Sequence, residues 1–584
     1  MFLRGQTVVL LPLLAYVVVD LGSACTAVGV TPGASVDGSA FVSHSSDAEG
    51  EGDPRVYKVE AKTHKPGTLR PVFDYPPGLS GARKPPIGHI PQVARTHGYL
   101  RETYGMMNDK QVSIGESTTS SKSPIDEVQP ASRGGTALLS AVTLTEIGLE
   151  RCDTARCACE TMGTLSEQFG FFQDAGTPTG EAFLVGDRNE VWIFHILPPL
   201  KAEDTYGAIW AAARVPDGHV TALPNTFTIR GIDLEDGANF LYSQSLVGAA
   251  EAVGGWRAGE ALDFTKVFGA GEYGSKYYSG RRVWRALTLL GSPEVAASLP
   301  AEYGDLHADA PYPPSVRATP RSVALSHVLA VHRDYYQGTK YDLSKGLAAG
   351  PWGTPNRFMF PADSINAWER SITLFRTVDS YVAQSRGWLA DEVGGTIWYG
   401  PHAAHGTVYV PLSPAMAQAT LPPAYTSSFE MTSGALDRRG AFWAHAATQA
   451  LAEGRFAWIQ PELSALQAVL EKEGLQAQAT VDTTAAAAGG PMFDGDKAQA
   501  RYAPLRDHAS RVAAQCWQLF DQLVFRYADG FVRPRGVRAS PVGMGYVSAR
   551  RHTRSLKLPR SVPTLAYARL CQQSPTFRGR LRHR

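Results

Sequence analysis

The sequence predicts an α+β protein: layered sheets with helices packed outside them. Three observations lead there. Residues 25–48 alternate apolar and polar positions, as paired strands do. Residues 137–169 switch to helical periodicity, and residues 181–227 return to alternation. Strands, then helices, then strands is the order of segregated layers rather than of a repeating βαβ unit.

Taken in order, the chain opens with Arg4, an apolar run from Val8 to Val19, and small residues at Gly22 and Ala24. A short positive region, an apolar stretch and small residues three and one places before a cut make up a signal peptide, assigned to 1–24. The run ends at Asp20, too short for a spanning helix of about 20 residues, so no stable membrane span is expected. The protein is expected in the secretory pathway, secreted or lumenal in a lysosome-like compartment. A lipidated Cys25 is the competing reading. Lipid attachment favours Leu three places before the Cys, whereas here Leu21 is four places before it.

Cys25-Thr26-Ala27-Val28-Gly29-Val30 and Ser39 to His44 read as a hairpin around the turn residues Pro32 to Gly38. That hairpin would hold Cys25 at the edge or end of a sheet. Residues 49–95, rich in Pro, Gly and charge, read as irregular surface with one or two strands. Gly98 to Ser120 reads as a second strand pair, turning at Tyr104 to Asp109. Two helices follow within Ala137–Phe169. Strands at Glu181–Asp187 and Val191–Ile196 join through Asp187-Arg188-Asn189, and two more run within Tyr206–Val215 and His219–Phe227. Beyond 231, helices are expected at Gly280–Leu290, Ser322–His332, Arg439–Gln449, Pro461–Glu473 and Ala498–Tyr527. Strands are expected within Ile372–Gln384, Thr396–Tyr399 and Thr407–Val410. The Thr483-to-Gly490 run is low in complexity and reads as a linker.

Lys and Arg number 56 against 55 Asp and Glu, a balance that argues against a nucleic-acid binder. The stretch from Arg550 to Arg584 holds ten Lys or Arg and no acid and reads as a disordered, solvated tail. Six cysteines are present, so removing Cys25 from the pairing leaves an odd number. Cys152, Cys157 and Cys159 lack a fourth ligand nearby and read as a local disulfide or buried thiols rather than a metal site. His402 and His405 resemble a metal pair only superficially and read as surface loop. Neither a metal nor another cofactor is expected.

If the leader is cut after Ala24, Cys25 carries both a thiol and a free α-amine. A thiol titrates near pH 8.5 and needs activation, and an α-amine near 7.7–8.0 is a built-in base. A nucleophile paired with an N-terminal amine is a recurrent catalytic arrangement. Arg357 and Arg376 could hold a substrate carboxylate bidentately, though structural ion pairs are the plainer reading. Trp352 and Trp398 read as core or pocket wall.

Cys25-Thr26, Asp37-Gly38-Ser39 and Asp47 look like the opening of secernin-type dipeptidases, N-terminal-nucleophile cysteine peptidases related to penicillin V acylase and bile salt hydrolase. The resemblance continues through Tyr104 to Asp109, Val112 to Thr118, Ala213 to Val220 with Pro224-Asn225, Tyr336 to Asp342, Ala349 to Gly353 and Thr396 to Leu412. It covers roughly residues 25–430. The chain departs at Ser43-His44-Ser45, where the family has Ala-Arg-Asn.

The resemblance implies a four-layered αββα sandwich over 25–484 with a large α-rich insertion; beyond it, periodicity and charge give a C-terminal helical region 485–549 and the basic tail 550–584. It implies Cys25 as nucleophile, Asp47 orienting its amine or thiol, and Asn225 donating to the oxyanion. Glu116 would bind a substrate amine, with Arg357 the candidate for the carboxylate. The implied activity is hydrolysis of dipeptides through a thioester on Cys25, with a small peptide as the only partner and a homo-oligomer left open. The rivals are an amidase or acylase acting on N-acyl compounds, and a non-catalytic secreted or lipid-anchored binding protein.

Overall fold

Two antiparallel sheets organise the computed structural model. It describes residues 25–47, 52–74, 85–122, 128–173, 179–201, 204, 207–270, 276–299, 313–357, 369–426, 436–487 and 499–528. Residues 1–24, expected as a signal peptide, and 550–584, expected as a basic tail, lie outside the described residues. The chain divides into two compact units, Met1–Phe525 and Arg526–Arg584. Among the described residues no helix is long and apolar enough to cross a membrane.

The first sheet has seven strands in the order Val316–Arg317, His219–Leu223, Thr26–Val30, Ala40–Ser46, Asp379–Ser385, Gly395–Pro401 and Val410–Leu412. The second has eight, in the order Phe240–Tyr242, Ile209–Arg214, Val191–Leu197, Thr179–Gly186, Ser113–Ser120, Gly105–Asn108, Tyr99–Arg101 and Tyr57–Val59. The opening hairpin therefore lies in the middle of its sheet, with His219–Leu223 on one side and Asp379–Ser385 on the other. Cys25 stands at a strand end, but not at a sheet edge.

Alternation explains how the faces are used. Val28, Val30, Phe41 and Val382 turn to one side of the first sheet, where they pack with Val283 and Leu287 of helix Arg281–Leu290 and Val328 and Val331 of helix Leu325–His332. Ala27 and Val42 turn to the other side and meet Ala182, Leu184 and Ile193 of the second sheet. The outer face of the second sheet, through Phe183, Val185, Trp192 and Phe194, packs with helices Ala141–Arg151 and Ala155–Phe169. Each such side chain contributes about 1.5–3 kcal/mol by leaving water.

The sheets approach closely where glycine removes the side chain. A Cβ on Gly115 would lie 2.5 Å from the Ser43 carbonyl oxygen, and one on Gly29 would lie 3.0 Å from the Val191 side chain of the facing sheet. This draws the Ser113–Ser120 strand against the opening hairpin.

Several expectations need correction. Residues 49–95 hold short strands at Tyr57–Val59, Lys62–Thr63, Leu69–Val72, Gly88–Pro91 and Arg95–Thr96, so pairing is more extensive than the composition suggested. The segment expected as one turn, Tyr104 to Asp109, contributes the strand Gly105–Asn108, with a reversal on each side of it, at 102–104 and 109–112. Strand formation in 372–384 begins only at Asp379. The expected linker at Thr483 starts as the end of helix Phe456–Ala487, since alanine is the best helix former; residues 488–490 lie outside the described residues. His405 is buried, not in a surface loop, and hydrogen-bonds Thr373 and Gln449. Cys152 and Cys157 form a disulfide across the junction of the two outer helices, and Cys159 is a buried thiol. Trp398 is core.

Candidate active site

Cys25 immediately precedes the Thr26–Val30 strand and is fully buried. Its neighbours follow from strand register. His44 pairs with Ala27, two residues from Cys25, so alternation puts the imidazole on the same face as the thiol. Glu116 comes from the facing sheet. The thiol sulfur, an imidazole nitrogen of His44 and a carboxylate oxygen of Glu116 all lie within 4.8 Å of one another, and all three residues are buried. Among the described residues no other group of three His, Cys or acidic donors converges this way.

The imidazole is held in one orientation. Its Nδ1 donates to the Glu116 main-chain carbonyl at 2.8 Å, which leaves Nε2 as the lone-pair nitrogen, with no hydrogen-bond partner. Tyr104 and Tyr381 flank the ring, each with centroids 5.5 Å away. The Glu116 carboxylate accepts from Thr118 Oγ1 at 2.8 Å, while its second oxygen lies 4.0 Å from His44 Nδ1 and takes no hydrogen bond. A solvated Glu116 is therefore excluded.

Two buried arginines form the other half of the site. Arg282, on helix Arg281–Leu290, donates to the Cys25 carbonyl and to Thr26 Oγ1, both at 2.8 Å. Its other terminal nitrogen reaches the Pro224 carbonyl at 3.1 Å and Asn225 Oδ1 at 2.8 Å. Arg370 also donates to Asn225 Oδ1, at 3.2 Å, and forms a wholly buried ion pair with Asp47. Thr377 and Ser45 donate to the Asp47 carboxylate, and Arg376 donates to the Asp47 main-chain oxygen at 2.8 Å. The network thus runs Cys25, Arg282, Asn225, Arg370, Asp47.

Asp47 is a buried ion-pair partner rather than a turn cap. Asn225 does occupy a turn conformation, with φ of +58°. Two guanidinium donors require its amide oxygen on their side, so Nδ2 points to the Thr118 carbonyl, 2.6 Å away. One of the two Nδ2 hydrogens is left over.

The charge balance favours anions. Burial, with Arg370 alongside, pushes Arg282 down to about 9. Two guanidiniums share one carboxylate here. In a dry site, fixed positive charge of this kind stabilises a thiolate or an oxyanion far better than water would. Ser43-His44-Ser45 stands where the family has Ala-Arg-Asn. Arg282 and Arg370 supply positive charge beside Cys25 from elsewhere in the chain. Neither stood out in the sequence: Arg282 sits among Arg281 and Arg285 on a helix, and such runs are usually solvated faces.

Two further buried acids were also missed. Asp379 lies opposite Ser46 in the sheet register, and neither carboxylate oxygen has a hydrogen-bond partner. Burial, then Glu102, pushes its carboxyl well above the ordinary range. Arg357 is placed differently from these groups. Its guanidinium donates to the carbonyls of Thr354, Asn356 and Leu343, bracing its own loop.

The profile of peptidase family C69 matches residues 24–468. The chain belongs to peptidase family C69. The match opens one residue before Cys25, so this family member carries its buried thiol at the start of the shared region. Among curated proteins, the chain is 26% identical over 388 residues to a protein of Latilactobacillus sakei named "Probable dipeptidase", covering 65% of this chain and 71% of that one. It is 24% identical over 444 residues to "Probable dipeptidase B" of Lactococcus lactis subsp. lactis, covering 74% and 82%. Over 492 residues it is 24% identical to "Dipeptidase" of Bifidobacterium longum, covering 79% and 82%.

Proposed function

We propose that this C69 member is a dipeptidase that hydrolyses its substrate through a thioester on Cys25. The observation that carries the reading is the buried thiol set between an imidazole–carboxylate pair and a two-arginine network. The names of the relatives point to the same substrate class. Removal of residues 1–24 would free the α-amine of Cys25, with Asp47 as the orienting carboxylate near it. The spare hydrogen of Asn225 Nδ2 is the donor we assign to the oxyanion, with the positive charge of the adjacent guanidiniums behind it. Glu116 is assigned to the substrate's ammonium group. Arg357 braces its loop, so we assign it no part in holding the substrate carboxylate.

The same reading carries finer assignments. The two facing sheets and their outer helices would form the four-layered αββα sandwich of N-terminal-nucleophile hydrolases, over 25–484. The regions 485–549 and 550–584 would be a helical extension and a basic tail, and the mature protein would be secreted or lumenal.

The test is mass spectrometry of the mature N-terminus together with turnover of a dipeptide and its N-acetylated form. Cys25 should be the first residue, Cys25→Ser should lose turnover, and acetylation of the substrate amine should raise KM. A different N-terminus, or undiminished turnover by Cys25→Ser, would sink the reading.

A further inference from the structure

We propose that His44 is a proton-transfer partner of Cys25, so that this chain activates its thiol through an imidazole as well as through its mature amine. The inference rests on Cys25 being the nucleophile.

Three features of the site support it. The Nδ1 hydrogen is committed to the Glu116 carbonyl, so the lone pair of the neutral ring is on Nε2. Nε2 is buried and takes no hydrogen bond from elsewhere. The imidazole lies within 4.8 Å of the thiol sulfur, a separation that a bound substrate can tighten, since catalytic hydrogen bonds are often long before substrate arrives. An imidazole oriented by an acceptor on one nitrogen and set beside a nucleophile is the arrangement of Cys–His hydrolases.

The surroundings of His44 fit this role. The groups facing it are Cys25 from the neighbouring strand, Glu116 from the facing sheet, Glu102 and Tyr104 from the loop before Gly105–Asn108, and Tyr381 and Asp379 from the next strand. Asp47 follows on its own strand. His332, from helix Leu325–His332, bonds Ser43 on the opposite face; burial holds it down to about 3, so it stays neutral and adds no competing cation. With Nδ1 committed, the ring offers Nε2 to the proton that the thiol gives up.

The chemistry balances. The Sγ–H proton passes to Nε2 as Sγ bonds to the substrate carbonyl carbon. The tetrahedral intermediate collapses, the C–N bond breaks, and the departing amine takes the proton from Nε2. A water then gives a proton to Nε2 as its oxygen attacks the thioester. The C–Sγ bond breaks, and the thiolate is reprotonated.

The experiment uses the uncleaved full chain, in which Cys25 has no free amine. Thiolate formation is followed by ultraviolet absorbance against pH, as wild type minus Cys25→Ser. The wild-type midpoint should fall at least about one pH unit below the ordinary thiol value of about 8.5. His44→Gln should raise it by at least about one pH unit, the Arg282 and Arg370 charges being common to both proteins. His44→Arg keeps a cation but cannot shuttle a proton, so the low midpoint should survive while kcat of the mature enzyme falls about 100-fold or more.

A wild-type midpoint at or above about 8.5 in the uncleaved chain overturns the proposal, even if His44→Gln fails to fold. So does an unshifted midpoint in folded His44→Gln, or full kcat in His44→Arg. Failure of the dipeptidase reading would show instead as absent turnover in the wild-type mature enzyme, which the absorbance titration does not depend on.

Discussion

Arg370 and Asp47 form an ion pair with no exposed side-chain surface on either partner. Desolvating two charges is costly, and only a close, fully bonded pair repays it. Removing one partner leaves the other charge stranded. Arg370→Gln should therefore lower stability by about 3–5 kcal/mol in chemical denaturation. It should also lower kcat/KM by about 100- to 1,000-fold if the network stabilises the anionic intermediate. Unaltered turnover in a folded Arg370→Gln protein would remove the network from the chemistry. Asn225 belongs to the same unit, because its oxygen is held by both guanidiniums and its main-chain N–H donates to Ser117 at 2.8 Å. Substitutions at Asn225, Arg282 and Arg370 should thus be strongly non-additive.

At the scale of elements, the site depends on how closely two strands from different sheets approach. Glu116 reaches Cys25 and His44 because its neighbour Gly115 lets the Ser113–Ser120 strand lie against the Ser43 carbonyl. Gly115→Ala would set a Cβ 2.5 Å from a backbone oxygen that cannot rotate away. We expect a loss of about 1–3 kcal/mol, as for other overpacked positions, and a drop in turnover larger than the instability explains, because the sheets would separate at the site. A Gly115→Ala enzyme with wild-type kcat would show that this contact does not set the geometry. The outer helices are secured differently. Ser140 and Thr154 cap their N-termini by accepting from Thr143 N and Cys157 N, and the Cys152–Cys157 disulfide ties the junction between them.

For the whole molecule, buried histidines couple folding to pH. Burial pushes His195, His332 and His405 down to about 3, against about 6.5 when exposed on unfolding. Between those values the unfolded chain binds more protons than the folded one, so their contribution is complete above about 6.5 and is lost as pH falls toward 3. Asp379 and Glu102, whose carboxyls burial pushes up, act in the opposite sense. A plain acid-stability curve therefore mixes the two, and a variant isolates one. His195 accepts from the Thr228 and Ile229 main chains, a role a glutamine oxygen can fill. The stability advantage of wild type over His195→Gln should shrink by about 2–3 kcal/mol between pH 7.5 and about 4.5. A difference independent of pH would mean His195 is not held neutral.

The sequence by itself determined the local features. Alternation located the opening hairpin and the strand pair around Asp187-Arg188-Asn189, helical periodicity located the two outer helices, and cysteine spacing pointed to a local disulfide. It also set Cys25 apart, and Asp47, Asn225 and Glu116 through the family resemblance. These depend on neighbours within one element, and periodicity carries that information. Only the tertiary structure decided that Arg282 and Arg370 reach the site, from 257 residues beyond Cys25 and 323 beyond Asp47. It likewise decided that His44, a departure from the family's segment, faces the thiol, and that Arg357 does not share in these contacts. Such convergence depends on which faces of distant elements pack together, and no local pattern of residues records that.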